Sequence, residues 1–300
     1  MTKYIHKKRI SPAWLKEINE IVRGAAGGFL FGIPLLYTFE VWQAGSYLKP
    51  TLMLSLLGIT YLVIFFFNRV EGFRHQKRTS VSEVFFESIE VLAIAITCAT
   101  LILFLLQRIT FNTPLQEALG KIVFESVPFA LGIALSRLII SEDEPKNFSE
   151  PTRTTTDFMD KKLKKLKGAN ETLSDLGGTI TGAIIIAFSI APTDEVTELG
   201  VASSPPWLIA IILASLLISY LIVFAAGFGN QKQRRQQKGL FQTPEGETIF
   251  SYLISLFASV LMLLFFQKIG FSDPWFLWIR YSVILGLPAS IGGAAGRLAV

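Results

Sequence analysis

An internal duplication constrains the fold of this chain more than any other feature of its sequence. The segment from Gln107 to Leu138 recurs as the segment from Gln267 to Leu298 at a constant spacing. The matched positions include a proline in each copy, Pro128 and Pro288, together with a glycine, an alanine and an arginine. A register held over the whole segment is typical of a duplicated structural unit.

The duplication extends upstream towards the N-terminus. The further matched pairs are Gly27-Gly28 with Gly177-Gly178, Gly32 with Gly182, and Gly72-Phe73 with Gly227-Phe228. We therefore divide the chain into a first repeat at residues 11–140, a linker at 141–161 and a second repeat at 162–300.

The composition indicates that both repeats are embedded in a membrane. Hydrophobic residues make up 51% of the chain and charged residues 17%, whereas a soluble protein carries about 25% charged residues. The basic residues are concentrated in a few loops, so the net positive charge does not indicate nucleic-acid binding. Cys98 is the only cysteine, which excludes a disulfide within the chain.

The hydropathy pattern predicts an all-α polytopic membrane protein with four spans in each repeat. Each apolar stretch approaches the roughly 20 residues that cross a bilayer. The eight predicted spans are residues 24–42, 52–68, 85–106, 119–140, 175–191, 206–228, 248–267 and 275–300. Two amphipathic segments, Trp14–Ile21 and Lys161–Leu173, precede the first span of each repeat. We expect them to form surface helices on the cytoplasmic face, where their bases contact anionic lipid.

Loop charge predicts the orientation. Basic residues cluster before the first span, in alternate loops and in the linker, while residues 43–50 and 192–205 carry few or none. The positive-inside rule places the basic set and both termini in the cytoplasm. Four spans is an even number, so the repeats are parallel, and we expect a two-fold axis along the membrane normal to relate them.

Two groups of residues carry a resemblance to a known family. They are the stretch from Arg23 to Trp42, which contains Gly-Gly-Phe-Leu-Phe-Gly-Ile-Pro-Leu-Leu-Tyr-Thr-Phe-Glu, and the Gly- and Arg-Leu-containing ends of both repeats. The chain resembles a family of uncharacterised bacterial integral membrane proteins that contain a domain of unknown function. The resemblance covers essentially the whole chain and implies a multi-pass protein of the bacterial inner membrane. It implies no activity.

No sequence motif predicts an enzyme. The chain has no phosphate-binding loop, no zinc-protease motif and no nucleophile-elbow motif. Its two histidines, His6 and His75, lie in basic cytoplasmic segments. We therefore expect no cofactor and no metal site built from imidazole or thiolate groups.

Polar residues inside the spans are the remaining candidates for a functional site. A carboxylate at the centre of a membrane helix costs about 2.5 to 3.5 kcal/mol on insertion scales, so it is a candidate functional group by default. The candidates are Tyr37, Thr38, Glu40, Glu87, Glu90, Glu125 and Arg280, with Pro34, Pro128 and Pro288 as candidate helix breaks. The acids are concentrated in the first repeat, and Leu285 occupies the position in the second repeat that matches Glu125.

Structural explanations compete with a functional one. Glu83 and Glu247 lie where helices begin, so they could simply complement the helix dipole. Arg137 and Arg297 are expected to extend towards the cytoplasmic surface, and their repetition also indicates a packing role. Glu40 or Glu125 could form an ion pair with Arg280.

Two classes of function follow from these residues. In the first, a small ion or solute crosses the membrane at the interface of the repeats, with Glu40 and Glu125 as outer carboxylates and Glu87 and Glu90 as inner ones. In the second, the chain is a membrane assembly or sensory protein that binds lipid or a protein partner through its basic loops and amphipathic segments.

Overall fold

In the computed structural model, residues 12–70, 80–139, 157–226 and 243–299 are described, and every regular element within these ranges is a helix. The helices are α1 (Pro12–Leu36), α2 (Phe39–Ser46), α3 (Pro50–Val70), α4 (Val81–Leu105), α5 (Leu115–Ile139), α6 (Asp157–Ile190), α7 (Glu195–Ala202), α8 (Pro205–Tyr220), α9 (Pro244–Phe265) and α10 (Trp275–Leu298). A single π-helical turn, Leu221–Ala225, extends α8.

Six of the described helices are long and apolar enough to cross a membrane. In addition, α1 bends by 94° into α2, and α6 bends by 91° into α7, so the count is eight if each bent pair is one span. Pro34 lies in the last turn of α1, where a ring in place of an N–H favours the end of a helix. We call the end of the bundle that carries α2 and α7 the elbow end.

Two expectations about helix boundaries are wrong. Pro128 and Pro288 lie inside α5 and α10, which are continuous helices, so neither proline breaks its span. Residues 14–21 are the beginning of α1, and residues 161–173 lie within α6, so neither segment forms a separate surface helix. No proline separates either segment from the apolar residues that follow it, and the backbone hydrogen bonds therefore continue.

Each repeat packs around its last long helix. In the first repeat α5 contacts α1, α2, α3 and α4, and in the second α10 contacts α6, α7, α8 and α9. Glycines allow the closest approaches. A methyl group on Gly132 of α5 would overlap the carbonyl oxygen of Gly27, and one on Gly292 of α10 would overlap that of Gly182. Small residues allow membrane helices to pack this closely without a hydrophobic driving force.

These glycine contacts correct the pairing of the first helices. Gly27 packs against Gly132 while Gly182 packs against Gly292, so the counterpart of Gly27 is Gly182. The predicted counterpart, Gly177, is exposed and has open space at its Cα. We call the corrected alignment the packing register. Its defining pairs are Gly27 with Gly182, Pro50 with Pro205, Gly72 with Gly227 and Gln107 with Gln267.

The junction between the repeats is not reciprocal. Helix α1 packs against the π-helical turn after α8 and against α10, and α4 contacts α8. Among the described residues, α6 makes no comparable contact with α3 or α5, and α9 makes none with α3. A two-fold axis would produce every contact twice. The expected two-fold relation is therefore wrong, and one face of the first repeat meets a different face of the second.

Candidate functional site

Glu125 lies in the interior of the first repeat. It is the eleventh residue of α5, which places it about 15 Å along the helix axis from Leu115. Its exposed fraction is 0%. Both of its carboxylate oxygens are buried and make no hydrogen bond to any part of the chain that the structure describes. Burial without a partner strongly disfavours the ionised form of a carboxylate.

The nearest basic residue along α5 is already engaged. Lys121, one helical turn before Glu125, donates from its Nζ to Glu117 Oε1 at 2.6 Å and to the carbonyl oxygen of Arg108 at 3.0 Å. One turn after Glu125, the ring of Phe129 packs against Gly32 of α1. Glu125 therefore lies between a neutralised cation and an aromatic side chain.

A backbone carbonyl next to Glu125 is also short of a donor. Pro128 has no N–H, so the carbonyl of Phe124 loses the helical hydrogen bond that it would otherwise accept. No side chain in the described ranges donates to that carbonyl. The side chain of Glu125 and the main chain of Phe124 thus present unsatisfied acceptors at consecutive positions.

In the second repeat the corresponding carbonyl has a donor. Pro288 frees the carbonyl of Ile284, and the hydroxyl group of Tyr37 donates to it at 2.9 Å. Tyr37 is buried, so this hydrogen bond joins the repeats in the interior. Thr38, the next residue, donates from its Oγ1 to the carbonyl of Leu35 at 2.7 Å, in the turn where α1 ends.

The predicted outer pair of carboxylates does not form. Glu40 is exposed in the first turn of α2. Arg280 donates from its Nη1 to the carbonyls of Gly200 and Val201, at 3.2 and 3.4 Å. No hydrogen bond or ion pair within the described ranges joins Glu125 to Glu40 or to Arg280. Glu125 also lies on α5, which packs against helices of its own repeat, so it is not at the interface of the repeats.

The other candidate acids lie at the end opposite the elbow. Glu87 is buried and Glu90 half-buried near the beginning of α4. Glu247 is the counterpart of Glu87 in the second repeat, and it forms an ion pair with Arg297. Arg297 is only 2% exposed, so the expectation that its side chain extends to the surface is wrong. The side chain of Arg137 lies outside the described residues.

Glu195 is a buried acid that the sequence did not identify. The sequence places it in a loop between spans, whereas in the structure it begins α7 and is 6% exposed. Its Oε1 accepts a hydrogen bond of 2.9 Å from the backbone N–H of Phe39. This bond caps the N-terminus of α2 from the other repeat, and the negative charge is favourable there. In the packing register the counterpart of Glu195 is Glu40, a match that could have drawn attention to it.

Ion pairs at the elbow end involve loop residues of both repeats. Arg108 pairs with Glu198 of α7 at 2.7 Å, and its guanidinium lies 4.0 Å from the ring centroid of Trp42. Lys268, the counterpart of Arg108, pairs with Asp194 at 2.7 Å. The hydrogen bond and the positive charge of Lys268 lower the pKa of the Asp194 carboxyl. Among the described residues, no three His, Cys, Asp or Glu side chains are grouped to hold a metal ion.

Comparison with known proteins gives one match. The model of a family described as "Putative integral membrane protein (DUF2391)" matches residues 20–300. No curated protein and no solved structure matches the chain. The match confirms the resemblance to a family of membrane proteins with no assigned function.

Proposed function

Because the chain belongs to the DUF2391 family of integral membrane proteins, we propose that it is a transporter in which Glu125 gains and loses a proton while a small cation or solute crosses the membrane. The observation that carries the proposal is the fully buried carboxylate of Glu125, which has no hydrogen-bond partner among the described residues.

The physical argument concerns the charge of this group. An ionised carboxylate in an apolar interior needs a counter-charge or hydrogen bonds, and a neutral carboxyl group needs far less. The described surroundings of Glu125 supply neither, so they accommodate the protonated form. When the proton leaves, a cation or water must enter, or a charged side chain must move. Acids buried in membrane spans mark ion pathways and proton relays in pumps and transporters.

Lys121 is the side chain best placed to respond. It lies one helical turn from Glu117 and one turn from Glu125, and residues four apart on a helix are neighbours. In the structure its ammonium group contacts Glu117. Loss of its proton would leave Glu125 negatively charged, and this charge would attract the ammonium group of Lys121 away from Glu117. The backbone of Lys121 packs against Gly45 of α2, so this movement would reach the helix that forms the elbow.

The proposal includes a placement in the membrane. Each bent pair, α1 with α2 and α6 with α7, counts as one span, giving eight spans in two parallel repeats. Both termini and the basic loops face the cytoplasm of a bacterial cell, with anionic lipid beside the basic segments. The alternating charge of the loops supports this orientation.

Flux measurements with two matched variants test the function. The purified chain is reconstituted in liposomes, a pH gradient is imposed, and proton movement is followed with a trapped pH-sensitive dye against a panel of cations. We expect Glu125→Gln to abolish cation-dependent proton movement, because the amide cannot exchange a proton. Glu83→Gln changes an exposed acid in the first turn of α4 and should leave the flux unchanged. Equal flux in the wild type and in folded Glu125→Gln protein would contradict the proposal.

An assembly role is the second candidate. It is favoured by one observation, an apolar groove of about 610 Å³ between α6 and α9. A chain that only assembles would bind a partner there and show no flux in the liposome experiment.

A further inference from the structure

The junction between the repeats uses one face of each. The first repeat contributes α1 and the end of α4. Arg23 donates from its Nε to the carbonyl of Ala226 at 2.9 Å, and the rings of Phe104 and Trp207 meet edge to face at 5.6 Å. The second repeat contributes α8, its π-helical turn and α10. The junction is not reciprocal, so each repeat also has a second face, which corresponds to the contact face of the other repeat. This second face makes no comparable contact between the repeats, and we call it the unused face.

The unused face of the second repeat lies on α6 and α9. Ile33 of α1 is buried at 0% exposure, whereas Phe188, its counterpart on α6 in the packing register, is 51% exposed. Leu30 is half-buried and its counterpart Ile185 is exposed. The apolar groove lies between the same two helices, α6 and α9. Its walls include Gly177 and Ile180 of α6 and Phe250, Leu253 and Phe257 of α9.

The unused face of the first repeat lies on α3. Only 17% of the span formed by α3 is buried, against 44% of the corresponding span formed by α8 and its π-helical turn. Trp207, Ala214 and Leu221 are half-buried. Their counterparts Leu52, Ile59 and Phe66 are all exposed and apolar. The chain therefore carries exposed counterparts of both halves of its internal junction.

We propose that a second copy of this chain docks the α3 face of its first repeat against the α6 and α9 face of the second repeat, so that the internal junction is repeated between copies. The inference rests on the repeat that is part of the proposed function. The contact is head-to-tail, because two different faces meet. Such contacts close into a ring if the rotation allows and otherwise continue as a chain of copies.

The polar residues at the elbow end fit the same arrangement. Within the chain, Glu195 accepts a hydrogen bond from the N–H of Phe39. Repetition of the junction places Glu40, the counterpart of Glu195, at the N–H of Asp194 in the next copy. Asp194 is the residue before the first turn of α7, where a carboxylate acceptor stabilises a helix. Glu40 is exposed in a single copy, and the contact between copies gives it a partner.

The contact between the rings of Phe104 and Trp207 also has a counterpart pair of residues on the unused faces. Phe104 and Trp207 meet inside the chain, and their counterparts are Leu264 and Leu52. Leu52 is exposed and Leu264 half-buried. Repetition of the junction places Leu52 of one copy against Leu264 of the next.

Crosslinking between two tagged copies tests the proposal. Both copies carry Cys98→Ala, which removes the only native cysteine. One copy carries Leu52→Cys and the other Leu264→Cys, and a short bis-maleimide is added to membranes that contain both. We expect a crosslinked pair when the two variants are present together and none when either is present alone. Phe104→Cys with Trp207→Cys in one chain is the internal positive control.

The specificity control is Leu54→Cys, which is also exposed but lies on another face of α3. A crosslink of Leu264→Cys to Leu54→Cys as efficient as that to Leu52→Cys would overturn the proposal, because the contact would be random. A crosslink by one variant alone would show a symmetric contact and would also overturn it. No crosslink in any combination, with the internal control positive, would show that lipid covers these faces and would overturn it too. None of these outcomes depends on flux, so they are separate from the test of the proposed function.

Discussion

Glu125 in the first repeat and Leu285 in the second occupy matched positions, and both are 0% exposed. Each lies three residues before a proline inside the central helix of its repeat. Leu285 needs no polar partner there, whereas a carboxylate in a membrane interior costs about 2.5 to 3.5 kcal/mol. The comparison teaches that packing alone does not require an acid at this position. The proposed proton transfer gives a reason for keeping one.

The prolines lead to a second difference between the repeats. Tyr37 satisfies the carbonyl that Pro288 frees in the second repeat. The counterpart of Tyr37 in the packing register is Pro192. Its side chain cannot donate a hydrogen bond to the carbonyl of Phe124, which Pro128 frees in the first repeat. Among the described residues, the carbonyl freed by the mid-helix proline therefore has a side-chain donor in the second repeat and none in the first.

The largest expected effect comes from placing an acid in the second repeat. Leu285→Glu should lower the free energy of unfolding by about 2.5 to 3.5 kcal/mol, the cost of a carboxylate near the centre of a span. Unfolding in mixed micelles against increasing SDS measures it. Leu285→Met, which keeps the volume, is the control and should cost less than about 1.5 kcal/mol. If Leu285→Glu is as stable as Leu285→Met, the second repeat tolerates an acid and the comparison fails.

The next effect tests the packing register. Gly182→Ala should destabilise the protein by about 1 to 3 kcal/mol, because the new methyl group overlaps the Gly292 carbonyl and forces the helices apart. Gly177→Ala should cost nothing measurable, because nothing lies within 4 Å of the added carbon. Thermal unfolding of both variants in detergent gives the comparison. The reverse ranking would restore Gly177 as the counterpart of Gly27.

A smaller effect concerns the hydrogen bond that joins the repeats. Tyr37→Phe should cost about 0.6 kcal/mol, the mean for hydrogen bonds between membrane helices. In a Pro288→Ala background it should cost less, because the restored N–H of residue 288 competes for the Ile284 carbonyl. A double-mutant cycle measures this coupling. Equal costs in both backgrounds would mean that the hydroxyl and the proline act independently.

The smallest effect concerns the ion pair between Asp194 and Lys268 at the elbow end. The pKa of Asp194 is lowered by Lys268, so this pair adds stability above the pKa of unfolded aspartate, about 3.9. That stability is lost as the pH falls through the lower pKa of the folded state. Asp194→Asn should therefore lower the thermal midpoint slightly at pH 7 and not at all in strong acid. A difference that persists in strong acid would mean that the carboxylate charge is not its cause.

The fold class followed from the sequence because hydropathy and length determine which helices can cross a membrane. The bends into α2 and α7 could not be read in the same way. Hydropathy does not distinguish a straight span from one that turns by 94° two residues after Pro34. The first helices of the repeats were paired wrongly because both are rich in glycine, and only the contacts with Gly132 and Gly292 identify the correct pair.

The candidate site was predictable in part. Glu125 was identified because an acid within an apolar span is rare and can be recognised from the sequence alone. Its lack of a partner was not predictable, since it depends on the contact of Lys121 with Glu117 and on the position of Arg280. Glu195 was missed because its hydrogen-bond partner, the N–H of Phe39, lies in the other repeat and is far away in the sequence.

The protonation state of Glu125 tests the account most directly. Infrared spectroscopy of the protein in bilayers distinguishes the carbonyl stretch of a protonated carboxyl group from the bands of an ionised carboxylate. We predict a protonated-carboxyl band at neutral pH in the wild type and in Glu83→Gln, and its loss in Glu125→Gln. A wild-type spectrum without this band would contradict the proposal that the buried carboxyl group of Glu125 holds a proton. A band that Glu125→Gln leaves intact would contradict it as well.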